Sequence, residues 1–257
     1  MQYFLAGGEP TTPPRDALIE TMRTKGNAIP LWQYHYARLQ KSVPLLWYGA
    51  PSLPPQDAFL ENILLQIPEI EHGQPLRVRL QIDFDDYTLS CAISYSTIYT
   101  EYQAGYDKIG LRVCIYDDAP LAAHLLSKLK RIPQVAYSRA AQYATAQGLD
   151  DAFVINNAHC ITESSIANVF WVEGDKLYTP PLSEGCIAGV FRSYMLDNIN
   201  GIEQQPLTLQ ALENASEVWL SNAVRGIRWV VECAGKRYGN RLFETYKKLN
   251  AIILNGS

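Results

Sequence analysis

Segments 76–84 (LRVRLQIDF) and 88–98 (TLSCAISYSTI) alternate apolar and polar residues with a period of two, and Asp85-Asp86 stands between them as a turn. Such a pair is satisfied as neighbouring strands that lay one face on a core, because successive side chains of a strand point to opposite faces. The preceding residues supply what that face can pack against. Gln33 to Leu46 carries apolar residues at helical spacing, and Asp57 to Ile67 sets Phe59, Leu60, Ile63, Leu64 and Ile67 on one face of a second helix. Pro51, Pro54 and Pro55 mark the loop between them, and the polar stretch Glu69 to Pro75 ends the second. Asp16 to Arg23, followed by Ile29-Pro30-Leu31, reads as strand and turn leading into the first helix. The first hundred residues therefore form an α+β unit.

Gln103 to Lys108, polar and containing Gly105, separates two strand-like regions and reads as a linker. It divides the chain into a small N-terminal α+β domain, 1–105, and a larger C-terminal domain, 106–257. The second part reads as strand 111–116, a long helix ending near Gly148, strands 152–156 and 168–173, and a Pro180-Pro181 break. A helix over 190–198, strands 217–221 and 227–231, and a final helix from Asn240 to Leu254 follow. At 257 residues the chain is long enough to bury a sizeable core.

Composition narrows the function classes. Hydrophobic residues make up 47% and charged residues 19%, the balance of a globular protein rather than a disordered one. The formal net charge is −4 and no run of Lys and Arg forms a basic stripe, which argues against nucleic acid as a partner. Met1 to Gly8 lacks the charged and apolar regions of a signal peptide and no stretch has the length of a membrane span, so a cytoplasmic protein is expected. Cys91, Cys114, Cys160, Cys186 and Cys233 are widely spaced, odd in number and without a C-x-x-C pair. That pattern points to reduced thiols and away from a disulfide framework or a metal site.

Four places carry residue types suited to chemistry. Segment 159–170 (HCITESSIANVF) sets Glu163 in a hydroxyl-rich turn between apolar strands, where a carboxylate is costly unless paired. Segment 185–192 (GCIAGVFR) is a glycine-punctuated turn running into a helix, whose free N–H groups and dipole make an anion cradle. Arg38 shares a helix with His35 and can add positive charge to the same anion. Lys130 lies in KLKRIPQ, a basic patch at the start of a helix. Each also has a plainer reading: Glu163 as a salt-bridged turn carboxylate, the glycines as a turn, Lys128, Lys130 and Arg131 as a solvated helix end, and His35 as a packing or capping residue.

The order and spacing of these pieces resemble the fold-type IV, or class IV, pyridoxal-phosphate (PLP) enzymes, which include branched-chain and D-amino-acid aminotransferases and aminodeoxychorismate lyase of folate biosynthesis. The stretch 20–42 (ETMRTKGNAIPLWQYHYARLQKS) is similar to the family's Glu-Thr strand start and H-x-x-R-L helix, with His35, Arg38 and Leu39. Residues 149–170 resemble its acidic pair, strand and T/E-x-x-x-x-N-x-F element, filled by Glu163, Asn168 and Phe170. Residues 178–192 resemble its T-P, G-x-x-x-G-x-x-R phosphate turn, and 217–227 (EVWLSNAVRGI) its late strand and phosphate loop. The resemblance implies an α/β fold of a small N-terminal domain and a larger pseudobarrel domain, PLP as cofactor, and a homodimer. It implies that Lys130 carries the cofactor and moves the substrate proton, and that Glu163 keeps the pyridine nitrogen protonated. The Arg38 side chain, the Val190 and Phe191 backbone amides, and Asn222 with Ala223 would bind the phosphate.

Within the resemblance, Lys128 and Lys130 compete. The family's spacing from lysine to the acidic pair, counted back without a gap from Gly148, Leu149, Asp150 and Asp151, lands on Lys130. The other register sets Ser127 there and needs three inserted residues in a helix. Pro133 departs from the asparagine that many relatives carry three residues after the lysine, which alters the hydrogen bonding expected around the cofactor. Residues 13–20 (PPRDALIE) lack the Y-G-D-G run, and 82–88 (IDFDDYT) lack a Gly-rich Arg loop. Substrate-carboxylate ligands are therefore not assigned, and Arg192, Arg225 and Arg79 remain candidates. The short chain and SNAVRG (221–226) favour the lyase. An amino-acid transaminase shares the same apparatus, and a non-catalytic binding protein on this fold is disfavoured by the intact Lys130 and Glu163.

Overall fold

The two alternating segments pair as expected, and the computed structural model shows what they lean on. It describes residues 4–7, 16–67, 75–85, 87–98 and 109–254. Strands β1 (Phe4–Gly7) and β2 (Ala17–Arg23) precede helices α1 (Trp32–Leu46) and α2 (Gln56–Leu64), and strands β3 (Leu76–Asp85) and β4 (Thr88–Thr97) follow. With the two-residue β6 (Arg131–Ile132) these strands form a five-stranded sheet in the order β1-β4-β3-β2-β6. Leu76, Val78, Leu80 and Ile82 of β3 point to one face and meet Trp32, Leu39 and Val43 of α1 and Phe59 and Ile63 of α2. Each such side chain, fully buried, contributes roughly 1.5–3 kcal/mol. The alternate residues Arg77 and Arg79 therefore face the other way.

The rest of the chain supplies β5 (Leu111–Leu121), α3 (Val135–Ala146), β7 (Asp151–Asn156), β8 (Ile161–Ser164), β9 (Asn168–Glu173) and β10 (Lys176–Thr179). Helix α4 (Val190–Asn198), β11 (Glu203–Gln204), α5 (Leu209–Asn214), β12 (Glu217–Asn222), β13 (Gly226–Cys233), β14 (Lys236–Arg237) and α6 (Arg241–Tyr246) complete it. The second sheet runs β11-β10-β9-β12-β13-β5-β7-β8, and β8 also pairs with β9, so the strands from β9 to β8 close into a barrel. One face of the closed sheet gathers Phe153, Val169, Trp171, Val218 and Val230 with Leu212 of α5. The other face carries α3 over Val154 and α4 and α6 over Phe170 and Trp219. This is the α/β architecture with a pseudobarrel.

Several expectations need correction. Lys130 does not start a helix: the long helix begins only at Val135, and Lys130 precedes β6, whose Arg131 and Ile132 pair with Leu18 and Ala17. The hydroxyl-rich turn around Glu163 is largely strand β8, held between β7 and β9. The last helix stops at Tyr246 and continues as a 3-10 helix over Lys247–Ile252. The linker and boundary expected near residue 105, and Asp86 of the expected turn, lie outside the described residues. Among the described residues no helix is long and apolar enough to cross a membrane.

Candidate active site

A pocket of about 600 Å3 opens between the two sheets. The face of the first sheet opposite α1 and α2 gives it Ile19 and Thr21 of β2 and Arg77 and Arg79 of β3; the barrel gives it Glu163, Asn168 and residues 221–225. Lys130, Arg38, Val190, Asn222 and Ala223 line it too. Lys128 and Ser127 are not among its lining residues. The Ser127 hydroxyl is used within its own turn, donating to the His124 carbonyl at 2.5 Å and accepting from the His124 amide at 2.9 Å.

The backbone that presents Lys130 is pinned to both halves of the molecule. Its carbonyl accepts from the Ile19 amide of β2 at 2.9 Å, and the carbonyl of Lys128 accepts from the Ala188 amide of the turn before α4 at 2.9 Å. Burial, with the neighbouring Arg38, pulls the Lys130 amine down to about 8, while Glu20 and Glu163 oppose the shift. An amine so lowered is neutral for a useful fraction of the time near pH 8, as a nucleophile or proton acceptor must be.

Glu163 is almost completely buried. Oε1 accepts from the Tyr137 hydroxyl at 2.6 Å and the Ile187 amide at 2.8 Å, and Oε2 accepts from Nδ2 of Asn168 at 3.2 Å. Burial pushes its pKa up to about 7, against the Tyr137 and Ile187 hydrogen bonds and the charges of Lys130 and Arg192. Oε2 with one long bond retains accepting capacity, and a cationic N–H donor is the partner that would favour its charged form. Asn168 fixes this arrangement from the other side, since its Nδ2 also donates to the Ile187 carbonyl at 2.9 Å. Its Oδ1 lies 1.7 Å from where a Cβ of residue 189 would stand, so the turn requires Gly189. Gly185 is required for another reason: its φ of +98° lies in the left-handed region.

Gly189 caps α4, so the amides of Val190 and Phe191 fall in a first turn that lacks intrahelical acceptors. The Phe191 side chain is itself in the core and does not line the pocket. Across from α4, Oδ1 of Asn222 accepts from the amides of Val224 and Arg225 at 3.0 and 2.8 Å. That side chain shapes the 222–225 turn instead of pointing a donor at a ligand. Arg38 is held by Glu20: Nε donates to Oε1 at 2.7 Å, Nη2 donates to Oε2, and Nη1 donates to the Ala188 carbonyl at 3.0 Å. His35 Nδ1 lies 2.5 Å from Glu20 Oε2. Glu20 and His35 are both buried, and although burial alone would raise the Glu20 pKa, the Arg38 charge and the hydrogen bonds from Arg38 and His35 outweigh it and hold the pKa at about 2.

Of the three arginines left open as carboxylate ligands, Arg79 and Arg225 line the pocket. Arg192 does not. It is buried, with Nη2 donating to the Pro180 carbonyl at 2.9 Å and to Oε1 of Gln204 at 2.8 Å, so it ties the Pro180 turn to β11.

The profile of Amino-transferase class IV matches residues 17–233. The chain belongs to the class IV amino-transferase family. Two curated members that it resembles are aminodeoxychorismate lyases. The one from Vibrio harveyi is 33% identical over 81 residues, 30% of each chain. The one from Bacillus subtilis is 32% identical over 96 residues, 36% of this chain and 33% of that one. The matched part thus spans about a third of each relative's length. Among solved structures, a hypothetical aminotransferase from Mycobacterium tuberculosis in its PLP-bound form superposes with a TM-score of 0.79 at 17% identity, covering 93% of this chain and 89% of that one. The family is PLP-dependent, and this class IV chain is an enzyme. The pocket fits that cofactor on its own chemistry: an amine of lowered pKa, a buried carboxylate with a free acceptor, and an anion cradle at a helix start share one cavity.

Proposed function

We propose that the chain is a 4-amino-4-deoxychorismate lyase, releasing pyruvate and forming 4-aminobenzoate, with Lys130 as its cofactor-bearing catalytic residue. The observation that carries the PLP assignment is the meeting of Lys130 and Glu163 in one pocket with the α4 amides. When bound, PLP supplies an electron sink for the charge left when a proton leaves the substrate's α-carbon. Lys130 holds the cofactor and then, as a free amine, takes that proton. Glu163 holds a proton at the pyridine nitrogen through Oε2. The Val190 and Phe191 amides and the Ala223 backbone receive the phosphate, Asn222 shapes the loop that presents Ala223, and Arg38 adds positive charge from its Glu20 mount.

The choice of lyase rests on the Asn222-Ala223 loop and on the two lyases among the relatives. A relative from Methanocaldococcus jannaschii named a putative branched-chain-amino-acid aminotransferase, 32% identical over 111 residues, 41% of this chain and 38% of that one, favours a second reading, an amino-acid transaminase acting on branched-chain or D-amino acids. In either case the enzyme works in the cytoplasm as a homodimer, with residues 1–105 and 106–257 as its two domains.

Stoichiometric enzyme mixed with each substrate in the absence of any 2-oxoacid separates the two. A lyase returns the cofactor as the aldehyde on every turnover and yields 4-aminobenzoate and pyruvate without an acceptor. A transaminase stops after one half-reaction, with its cofactor left as the amine. Borohydride followed by peptide mapping tests the residue: the reduced cofactor belongs on Lys130, and a label on Lys128 would overturn the assignment.

A further inference from the structure

The 222–225 turn is gripped from behind by two elements that do not line the pocket. Strand β5 joins β13 only from Val230 onward, so the edge of β13 at Ile227 has no strand beside it. The N–H and C=O of one strand residue point to the same edge, and both need a partner there when buried. Asn250, on the 3-10 helix Lys247–Ile252, supplies both: its Oδ1 accepts from the Ile227 amide at 2.7 Å and its Nδ2 donates to the Ile227 carbonyl at 3.0 Å. Asn250 is 3% exposed, and a Cβ on Gly226 would stand 2.1 Å from its Oδ1, so the close of the turn is fitted to this one side chain. Ile227 pairs with Ser221 and Gly226 with Asn222, which places the grip in register with the end of β12 that lines the pocket. The second element is the end of β2. Arg23 is 2% exposed, its Nη1 donates to the Val224 carbonyl at 3.2 Å, and its Nε is buried without a partner. A guanidinium buried on a neutral carbonyl is a poor source of stability. Two residues on, Lys25 Nζ donates to the carbonyl of Ala251, next to Asn250, at 2.6 Å.

We propose that Asn250, Lys25 and Arg23 are positioning residues for the cofactor phosphate, joined in a clasp behind the turn. Asn250 fixes the hairpin at Ile227, Lys25 ties the helix that carries Asn250 to the first sheet, and Arg23 ties the first sheet back to the turn at Val224. The three contacts close a circuit through β2, the 3-10 helix and the start of β13. None of the three side chains lines the pocket, so they act through the backbone of the turn and not on substrate or cofactor. Backbone donors serve an anion only when they are held to within about 0.5 Å, and that precision comes from the groups behind them. Inside the turn Asn222 supplies part of it, by accepting from the Val224 and Arg225 amides. The clasp supplies the rest from outside. It rests on the reading of this turn as a phosphate site and is independent of the choice between lyase and transaminase.

Spectrophotometric titration of the full chain, freed of cofactor, with PLP and with pyridoxal tests the clasp, because pyridoxal has the same ring and aldehyde but no phosphate. The wild type should prefer PLP. Asn250→Ala should weaken PLP binding about tenfold and Lys25→Met about threefold, with pyridoxal binding changed less than about twofold in both. Lys236 makes a tether of the same kind away from the pocket, donating to the Ala215 carbonyl at 2.8 Å. Lys236→Met should lower the urea midpoint and leave the ratio of PLP to pyridoxal affinity as in wild type. Asn250→Ala strips two buried backbone groups of their partners; if it does not fold, Lys25→Met decides alone. An unchanged ratio in Lys25→Met, or in a folded Asn250→Ala, would overturn the clasp. So would an equal loss of both ligands, which is what general loosening of the pocket produces. If the wild type itself binds PLP no better than pyridoxal, the phosphate reading of the turn fails and the clasp falls with it. If the wild type prefers PLP and both variants keep the full preference, the turn stands and only the clasp is removed.

Discussion

Two glutamates in this molecule are buried to the same degree and held in opposite ways. Glu20, on the first sheet, meets Arg38 through two hydrogen bonds and His35 through a third, and its pKa falls to about 2. Glu163, on the barrel, meets a hydroxyl, a backbone amide and a side-chain amide, and burial lifts its pKa to about 7. Burial alone therefore does not decide what a carboxylate does; the charge of its donors does. Glu20 has its countercharge built in and is spent on structure. Glu163 is surrounded by neutral donors and lacks a contacting cation, and that deficit is what a protonated ring nitrogen can fill.

The largest expected effect belongs to the structural member of the pair. Glu20→Gln removes the negative charge facing the Arg38 guanidinium and turns one of the two acceptor oxygens shared by Arg38 and the buried His35 into a donor, and breaking a buried pair on one side costs about 3–5 kcal/mol. Urea unfolding at pH 7.5 should show this loss in the apo-protein, together with weaker PLP binding because Arg38 loses its mount. Glu163→Gln should behave otherwise: the cofactor is retained, turnover falls about a hundredfold, equivalent to ~3 kcal/mol of transition-state stabilisation, and stability is little reduced. Comparable stability losses in the two variants would erase the distinction between them.

The pH dependence of the apo-protein offers a second contrast, with opposite signs. Glu163 has a folded pKa above its ordinary 4.5, so the folded state binds more protons than the unfolded one between 4.5 and about 7. Its contribution to stability is intact below pH 4.5 and is lost as pH rises to about 7, by roughly 2–3 kcal/mol. Glu20 has its pKa depressed to about 2, so its contribution is present above pH 4.5 and is lost as pH falls toward 2. Wild type minus Glu163→Gln should therefore change across pH 4.5–8, and wild type minus Glu20→Gln below pH 4.5. Denaturant midpoints measured over pH 3–8 check both, and a change of the same sign in both differences would contradict the charges assigned to the two sites.

How much of this was legible in the sequence follows from the length scale of each signal. The alternation of β3 and β4 and the helical spacing of α1 extend over ten residues or more, and those elements stand where they were read. The strand β6 has two residues, too few to show a period, so the lysine before it read as the start of a helix. Glu163 could be singled out because a carboxylate among apolar strands demands a partner, and the same logic applies to Glu20 inside ALIETMR, where it was not used. His35 read as a packing residue, which its burial supports, but its bond to Glu20 joins elements that no local pattern connects. Tyr137 was missed for a similar reason: among 16 tyrosines nothing in the sequence marks the one whose hydroxyl reaches a carboxylate 26 residues on.

Tyr137 also supplies the smallest and finest test of the contrast. Of the groups that hold the Glu163 pKa down, its hydroxyl, at 2.6 Å from Oε1, has the largest effect, and its own ionisation is not in play because burial and Glu163 push its pKa well above 10. Tyr137→Phe removes one donor and leaves the Ile187 amide and Asn168. The carboxylate is then less stabilised as an anion, by about 1–2 kcal/mol, the usual worth of a hydrogen bond to a charged group. Its pKa should rise above 7, so the pH-dependent loss of apo-protein stability should extend to higher pH than in wild type. Turnover at pH 7.5 should fall about tenfold, with cofactor retained, and recover partly as pH is raised and the carboxylate ionises. The measurement is the pair of profiles, apo-stability and turnover against pH, for wild type and variant. A downward shift of either profile, or a turnover loss as large as that of Glu163→Gln, would mean that Tyr137 acts on the substrate directly instead of through Glu163. An upward shift in both profiles assigns Tyr137 to positioning, and makes the scarcity of positive donors around Glu163, rather than its depth, the property that sets its chemistry apart from that of Glu20.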